Sequence, residues 1–225
     1  MVEVLGLLPY SSNYTFLARV RHPEGQVHAV YKPQRGERPL WDFPPGSLAA
    51  RERASYIVSD ASGWDLVPPT VLRDDAPLGP GSLQLFVEHD PEVHYFTLMH
   101  DRLDEFAAFA AFDAVINNAD RKSGHVLEDP TGRLWGVDHG LTFHVEDKLR
   151  TVIWAFAEEP LTGPVRTALE RLGAALSDEG ELFGQLAGLL SPDEAAGTLG
   201  RVESLLVEDS FPAPGSDRPL PWPLI

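Results

Sequence analysis

The chain has 225 residues, a hydrophobic fraction of 43% and a formal net charge of −16, from 18 Lys and Arg against 34 Asp and Glu. This length and composition predict a folded protein of one or two small domains. The charge argues against a nucleic-acid partner and against a polyanionic lipid substrate, because both would be repelled. The absence of cysteine excludes disulfides and thiolate metal sites, and it favours a reducing compartment.

The N-terminal stretch MVEVLGLLPYSS contains an acidic residue and no basic region, so it does not predict a signal peptide. No run of about 18 apolar residues predicts a membrane-spanning helix. We therefore expect a cytoplasmic protein without integral membrane association.

The first 90 residues predict a small antiparallel sheet and one helix. Apolar runs bounded by turn residues predict strands at residues 15–20, 27–32, 66–72 and 82–88. A helix is predicted over residues 48–62, because the apolar pattern there ends at Gly63.

A polar loop precedes the strand at residues 15–20. Its backbone N–H groups and hydroxyls suit contacts with phosphate oxygens, and a plain polar turn is the alternative. The residues concerned are Ser11, Ser12 and Asn13.

Lys32 and Glu52 form the next candidate pair. Lys32 ends an otherwise apolar strand, and Glu52 lies on a partly apolar stripe of the predicted helix. A carboxylate on an inward stripe requires a cationic partner, because an isolated buried charge is costly. We predict that Lys32 is that partner. The alternatives are a strand-edge lysine with its ammonium group in solvent and a glutamate that pairs with a neighbouring arginine.

The composition changes after Glu88, so we predict two lobes, residues 1–90 and residues 91–225. The end of the strand at Glu88 is where backbone amides would contact an adenine ring.

In the second half of the chain, residues 91–99 resemble a loop. Helices are predicted over residues 103–118, 164–176, 178–190 and 192–207, followed by an extended tail over residues 211–225.

The segment from Asn117 to Phe143 holds the richest chemistry. Two short strands around an Asp-Pro-Thr-Gly turn predict a hairpin that brings Asp120 and Asp138 together. Two carboxylates near an asparagine, a histidine and two cations suit a magnesium–phosphate site, because Mg²⁺ takes one or two carboxylates plus substrate phosphates. The neighbouring polar side chains are Arg121, Lys122 and His125. The alternative is an ordinary hairpin with polar loops.

These features together resemble the phosphatidylinositol 3-/4-kinase-like branch of the protein-kinase-like fold. The sequence NADRKSGH at residues 118–125 is similar to that family's Asp-Arg-x-x-x-Asn loop, and VDHGLTF at residues 137–143 is similar to its Asp-x-Gly metal-binding motif. The chain also resembles a poorly characterised actinobacterial group of small proteins of this kind. The resemblance implies an α+β fold with two lobes, a small antiparallel β-rich N-lobe and a mostly helical C-lobe.

The resemblance also implies roles for individual residues. Lys32 would hold the phosphates of ATP, Glu52 would orient Lys32, and Asp138 would ligate Mg²⁺. Asp120 would be the catalytic carboxylate, with Arg121 and Lys122 as further catalytic residues of its loop. His125 stands where the family has a metal-binding asparagine, which makes Mn²⁺ a second possible metal. Asn117 or Asn118 is an alternative ligand.

We expect an ATP-dependent phosphotransferase that acts on a protein or small-molecule hydroxyl rather than a lipid. Lipid kinases often have histidine at the position of Lys122, and the phosphate loop here has no Gly-x-Gly. A nucleotide-binding pseudokinase and a protein nucleotidyltransferase on the same fold are alternatives. A metal hydrolase that uses His125, Asp138, His139 and His144 is less favoured, because these histidines lack a helical ligand spacing.

Overall fold

A computed structural model describes residues 1–9, 13–177, 180–215 and 218–225 of the chain. The N-terminal part forms a five-stranded antiparallel sheet with the order β1-β2-β3-β5-β4. Its strands are β1 Val2–Leu7, β2 Phe16–His22, β3 Gly25–Pro33, β4 Thr70–Arg73 and β5 Gly81–Leu85. The predicted strands are present, but β4 begins at Thr70 instead of residue 66 and β5 ends at Leu85 instead of residue 88.

Side-chain alternation in β3 separates a small core from the functional face of the sheet. Tyr31 is fully buried and pairs across the sheet with Leu83 of β5. Successive side chains in a strand point to opposite faces, so Lys32 lies on the face opposite Tyr31. Gly81 lies beside this strand end, and a Cβ added there would be 2.4 Å from the Lys32 carbonyl oxygen. Strand β5 therefore requires glycine at position 81, where it lies close to the backbone at the end of β3.

Helix α1 spans Leu48–Ser62, as predicted, and ends at Gly63, whose φ of 76° is the left-handed conformation that favours glycine at this position. The helix packs against β4 and β5 and also against two later helices. Its buried residues Ala54, Ile57 and Val58 belong to the main hydrophobic core. This core therefore includes residues from both sides of position 90, and the division into lobes at that position stays a prediction.

The region after the sheet is helical, but it contains one helix that the sequence did not predict. Helix α2 spans Tyr95–Arg102 and is followed by a 3₁₀ turn and by α3, Phe106–Val115. The prediction of a loop over residues 91–99 was therefore wrong. The residue before α2 is His94, which is not a usual N-cap residue, although the Thr97 hydroxyl accepts its N–H at 3.0 Å.

The remaining elements lie where the sequence predicted them, although the helix predicted over residues 178–190 is shorter and residues 178–179 lie outside the described residues. The hairpin consists of β6 Val126–Glu128 and β7 Leu134–Gly136, and the last helices are α4 Gly163–Leu176, α5 Glu181–Ala187 and α6 Pro192–Glu208. A capping box begins α6, because the Ser191 N–H donates to the Glu194 carboxylate at 2.9 Å and the Glu194 N–H donates to the Ser191 hydroxyl at 3.3 Å.

None of the helices in the described ranges combines the length and the apolar character needed to cross a bilayer.

Candidate active site

Lys32 lies at the centre of the candidate site. Its Nζ donates to Glu52 Oε1 of α1 and, at 2.7 Å, to Asp138 Oδ1. The predicted pair of Lys32 and Glu52 is thus present, and Asp138 joins it. Burial alone would lower the pKa of Lys32, but the charges of Asp138 and Glu52 outweigh that effect and raise the pKa above its ordinary value.

Glu52 is fixed by a second contact. Its Oε2 accepts the backbone N–H of His139 at 3.1 Å, and only 3% of its side chain is exposed. The stretch that follows β7 is thereby attached to helix α1. This attachment places Asp138, the residue before His139, beside Lys32.

Asp138 has an unusual backbone and a perturbed carboxyl group. Its φ is 61°, in the left-handed region that non-glycine residues rarely adopt, and such conformations cluster at functional sites. Half of its side chain is exposed, at 51%. The positive charge of Lys32 holds the pKa of Asp138 well below its usual range, so the group is a carboxylate at neutral pH.

Asp120 is the second carboxylate of the site. Its Oδ2 lies 3.0 Å from Lys122 Nζ, and 24% of its side chain is exposed. Burial raises the pKa of Asp120, while the contact with Lys122 and the charge of Arg150 oppose that rise. Asp120 therefore combines partial burial with nearby cations, as is common for groups that exchange protons in active sites.

One cavity connects these groups, and we call it the Lys32 cavity. The residues that line it include Asn13, Lys32, Glu52, Asp120, Asp138 and Leu141. Residues from the sheet, from α1 and from the segments around the hairpin thus face the same space. The predicted convergence of Asp120 and Asp138 is therefore present.

Arg121 does not face this cavity, which corrects the prediction that it acts as a catalytic side chain. It is fully buried, and its Nε lies 3.0 Å from each carboxylate oxygen of Asp113 in α3. It also hydrogen-bonds His139 Nε2 at 2.6 Å. Because its guanidinium group is enclosed by protein, Arg121 holds the loop of Asp120 in place and cannot contact a substrate.

The two asparagines before Asp120 also have structural partners. Asn118 Nδ2 donates to Asp113 Oδ1 at 2.9 Å, and Asn118 Oδ1 accepts the Asp120 N–H at 3.0 Å. Asn117 Nδ2 donates to the carbonyl oxygens of His144 and Glu146. Both amides are therefore occupied in fixing loops, which disfavours the alternative that either one ligates a metal.

His125 lies next to Asp138, with Nε2 3.4 Å from Asp138 Oδ2. Burial lowers the pKa of His125 to about 4, so its imidazole is neutral at pH 7. The Lys122 N–H donates to His125 Nδ1 at 3.4 Å, an arrangement that leaves the ring proton on Nε2. A protonated nitrogen cannot ligate a metal, so metal binding by His125 requires the other tautomer and stays a prediction.

Four other residues predicted to contact the nucleotide have different outcomes. Ser11 and Ser12 lie outside the described residues. Asn13 lines the Lys32 cavity, and its Oδ1 accepts the Arg38 N–H at 2.9 Å. Glu88 is exposed and lines a separate cavity with Glu128 and other residues, so its side chain does not reach the Lys32 cavity. A contact between the backbone near Glu88 and an adenine ring stays a prediction.

Sequence reasoning missed the buried polar network beneath the site. Asp113 accepts hydrogen bonds from Arg121, Asn118 and the Thr151 hydroxyl, the last at 3.1 Å. The available signal was a carboxylate within the otherwise apolar helix around Phe109 and Phe112. A buried carboxylate requires partners, but nothing in the spacing identifies them.

The less favoured alternative, a histidine metal centre, has no support, because no group of three or more potential ligands occurs in the part of the chain that the structure describes.

The fold places the chain among the protein-kinase-like folds. Hydra Fam20, in a structure with sugar, superposes with a TM-score of 0.59 at 13% identity and covers 92% of this chain and 85% of that one. The Helicobacter pylori proinflammatory kinase CtkA superposes with a TM-score of 0.52 at 10% identity and covers 93% and 94%. At these identities the likeness establishes the fold only. The predicted α+β kinase-like architecture is therefore confirmed.

Sequence comparison gives the family. Protein Rv2133c of Mycobacterium tuberculosis is 40% identical over 257 aligned positions, which cover 99% of this chain and 91% of that protein. The chain belongs to the family of Protein Rv2133c. Rice phosphatidylinositol 4-kinase gamma 4 is 32% identical over 144 positions, 55% of this chain, and the match spans 25% of the rice protein. No family model matches the chain.

Proposed function

We propose that the protein is an ATP- and divalent-metal-dependent phosphotransferase that phosphorylates a hydroxyl group of a protein or small molecule. The observation that carries this proposal is the double contact of Lys32 with Glu52 and Asp138, in a cavity that also contains Asp120. A strand lysine paired with a helix glutamate is a part that kinases require for binding nucleotide phosphates. The likeness of the fold to Fam20 and CtkA also supports the proposal.

Each side chain would have its own role in phosphoryl transfer. Lys32 would bind phosphate oxygens of ATP, and Glu52 would hold the ammonium group in position. Asp120 would orient the acceptor hydroxyl and accept its proton while the hydroxyl oxygen bonds to the γ-phosphorus. The bond between that phosphorus and the bridging oxygen would break, and ADP would leave with the electron pair. Lys122, 3.0 Å from Asp120, would offset negative charge on the transferred group.

The residues present fit a divalent cation. Asp138 presents a half-exposed carboxylate in the left-handed conformation, and Asp120 lines the same cavity. One or two carboxylates are what Mg²⁺ usually takes from a protein when it also binds substrate phosphates. Asp138 would hold the ion. When bound, the ion would neutralise charge on the phosphates of ATP.

The experiment compares wild type with Asp138→Asn. With ATP labelled on the γ-phosphate and Mg²⁺ or Mn²⁺, we expect metal-dependent label transfer or ATP hydrolysis. Asp138→Asn should reduce it by at least about 100-fold, because charge stabilisation by a metal contributes several kcal/mol. Asp104→Asn, the same change at an exposed site, is the control. Undiminished turnover in Asp138→Asn would overturn the assignment.

The label position separates the alternatives. Transfer of the γ-label indicates a kinase, whereas transfer of an α-label to protein indicates nucleotidyl transfer. Metal-dependent stabilisation by ATP without transfer of either label would indicate a nucleotide-binding pseudokinase.

A further inference from the structure

A short parallel pairing lies directly beside Asp120. Arg121 forms a parallel bridge with Thr151, in which the Arg121 N–H donates to the Arg150 carbonyl at 3.0 Å and the Val152 N–H donates to the Arg121 carbonyl at 3.1 Å. Residues one step earlier in two paired parallel segments are neighbours. The register therefore places Arg150 next to Asp120.

Side-chain directions show that these two residues share a face. The side chains of Arg121 and Thr151 both point inward and hydrogen-bond Asp113. Because successive side chains of an extended segment point to opposite sides, Asp120 and Arg150 point away from Asp113. The exposure of Asp120 and its place in the Lys32 cavity agree with this direction. Arg150 thus stands on the side where the acceptor hydroxyl would meet Asp120.

Unlike Lys32, Lys122 and Lys148, Arg150 has no side-chain partner in the part of the chain that the structure describes. Lys32 and Lys122 pair with carboxylates, and Lys148 lies 3.1 Å from Asp42. Within residues 1–9, 13–177, 180–215 and 218–225, no carboxylate or carbonyl accepts a hydrogen bond or salt bridge from the Arg150 guanidinium group, which is partly buried. A partly buried cation without a partner favours an anionic ligand, because the cost of desolvation is otherwise not offset.

We propose that Arg150 is an anion-binding residue of the acceptor site and that the phosphoryl acceptor carries a phosphate or carboxylate group near its reacting hydroxyl. This inference rests on the proposed function. Guanidinium groups suit such anions because their planar donors match two oxygens at once. A chain with a net charge of −16 repels anions at long range, so an anionic acceptor requires local cations of this kind. The nucleotide phosphates already have a candidate partner in Lys32.

The charge environment of Asp120 supports this placement. The positive charge of Arg150 is among the effects that oppose the burial-driven rise in the pKa of Asp120. The guanidinium group therefore acts electrostatically on the carboxylate that would receive the acceptor proton. An anion bound by Arg150 would place its neighbouring hydroxyl within reach of Asp120.

The test is calorimetric titration of inorganic phosphate, and separately of acetate, into full-length protein saturated with a non-hydrolysable ATP analogue and Mg²⁺. We expect wild type to bind at least one of the two anions. Arg150→Gln should weaken that binding by about tenfold or more, as expected for a lost charge-assisted bidentate contact, and Arg150→Lys should recover part of it. Arg73→Gln, at an exposed arginine that ends β4, is the control. Circular dichroism verifies the fold of each variant.

The outcomes separate this inference from the proposed function. Failure of wild type to bind either anion, or equal anion affinity in Arg150→Gln, overturns the role of Arg150. A loss of affinity for the ATP analogue itself in Arg150→Gln would assign the arginine to the nucleotide and also overturn the proposal. If wild type does not bind the analogue, the proposed function fails, and the anion titration of the nucleotide-free protein still decides whether Arg150 forms an anion site.

Discussion

Arg121 Nε lies 3.0 Å from both carboxylate oxygens of Asp113, in a fully buried ion pair beneath the loop that contains Asp120. Removal of one charge from such a pair leaves the other buried without compensation, which costs about 3–5 kcal/mol. We expect Asp113→Asn to lower the free energy of unfolding by that amount in urea titrations. Glu105→Gln, which removes the exposed partner of Arg102, should cost less than about 1 kcal/mol. Equal costs in the two variants would contradict a special role for the buried pair.

Glu52 should control how Lys32 meets the nucleotide. Glu52→Gln keeps the shape of the side chain but removes the charge that holds the Lys32 ammonium group. We expect the rate of phosphoryl transfer to fall by about 10-fold or more, as when a catalytic group loses its positioning partner. Asp60→Asn is the matched control, because Asp60 is an exposed acid on the same helix. A Glu52→Gln variant with the wild-type rate and the wild-type affinity for ATP would show that the ion pair is structural only.

The contact of Glu194 with Arg51 predicts a pH dependence of stability. Burial alone would raise the pKa of Glu194, but hydrogen bonds from Ser191 and Arg51 outweigh it and lower the pKa in the folded state. A group with a depressed folded pKa stabilises the fold above its unfolded pKa, about 4.3 for glutamate, and this contribution is lost as the pH falls through the folded pKa. We expect the free energy of unfolding to fall less steeply below pH 5 in Glu194→Gln than in wild type. Glu203→Gln, at an exposed position of α6, should keep the wild-type slope.

Local signals explain why much of the fold was predictable. The left-handed Gly63 ends α1 and the Ser191–Glu194 capping box begins α6, and both depend only on residues close in sequence. The pair of Lys32 and Glu52 was also accessible, because a carboxylate on an inward helix stripe demands a cation. These inferences needed only the elementary costs of backbone conformation and buried charge.

The errors concern residues whose environment depends on distant parts of the chain. Arg121 looked like a site residue because it follows Asp120, yet its guanidinium group pairs with the buried carboxylate of Asp113 in the core. Helix α2 was missed because His94 is not a usual cap, although Tyr95 packs edge-to-face on Phe106 with ring centroids 4.9 Å apart. Tertiary contacts decide both cases, and periodicity carries no information about them.

The C-terminal segment should support the loop that contains Asp120. The Ser123 N–H donates to the Leu224 carbonyl at 2.8 Å, and the Pro219 carbonyl accepts both the Thr151 N–H at 3.1 Å and Trp154 Nε1 at 2.9 Å. We expect removal of residues 219–225 to slow phosphoryl transfer, because the Ser123 and Thr151 N–H groups and the Trp154 indole N–H lose their acceptors. The affinity for ATP should stay within about twofold. Steady-state kinetics and calorimetry measure the two effects.

The control for this truncation is Trp222→Ala, because 88% of that side chain is exposed. It should leave the transfer rate unchanged. A truncated protein with the full transfer rate would show that the segment does not position the loop.

His125 should determine which metal supports activity. In its present tautomer Nε2 faces Asp138 Oδ2 at 3.4 Å, and an imidazole nitrogen is a softer ligand than the oxygens that Mg²⁺ prefers. We expect His125→Asn, which supplies an amide oxygen, to raise the ratio of Mg²⁺-supported to Mn²⁺-supported transfer rates. His125→Ala should lose activity with both ions, because it supplies no polar group. Rates measured across a titration of each metal distinguish the variants. An unchanged metal ratio in His125→Asn would show that position 125 does not contact the ion and that His125 acts only through its contact with Asp138.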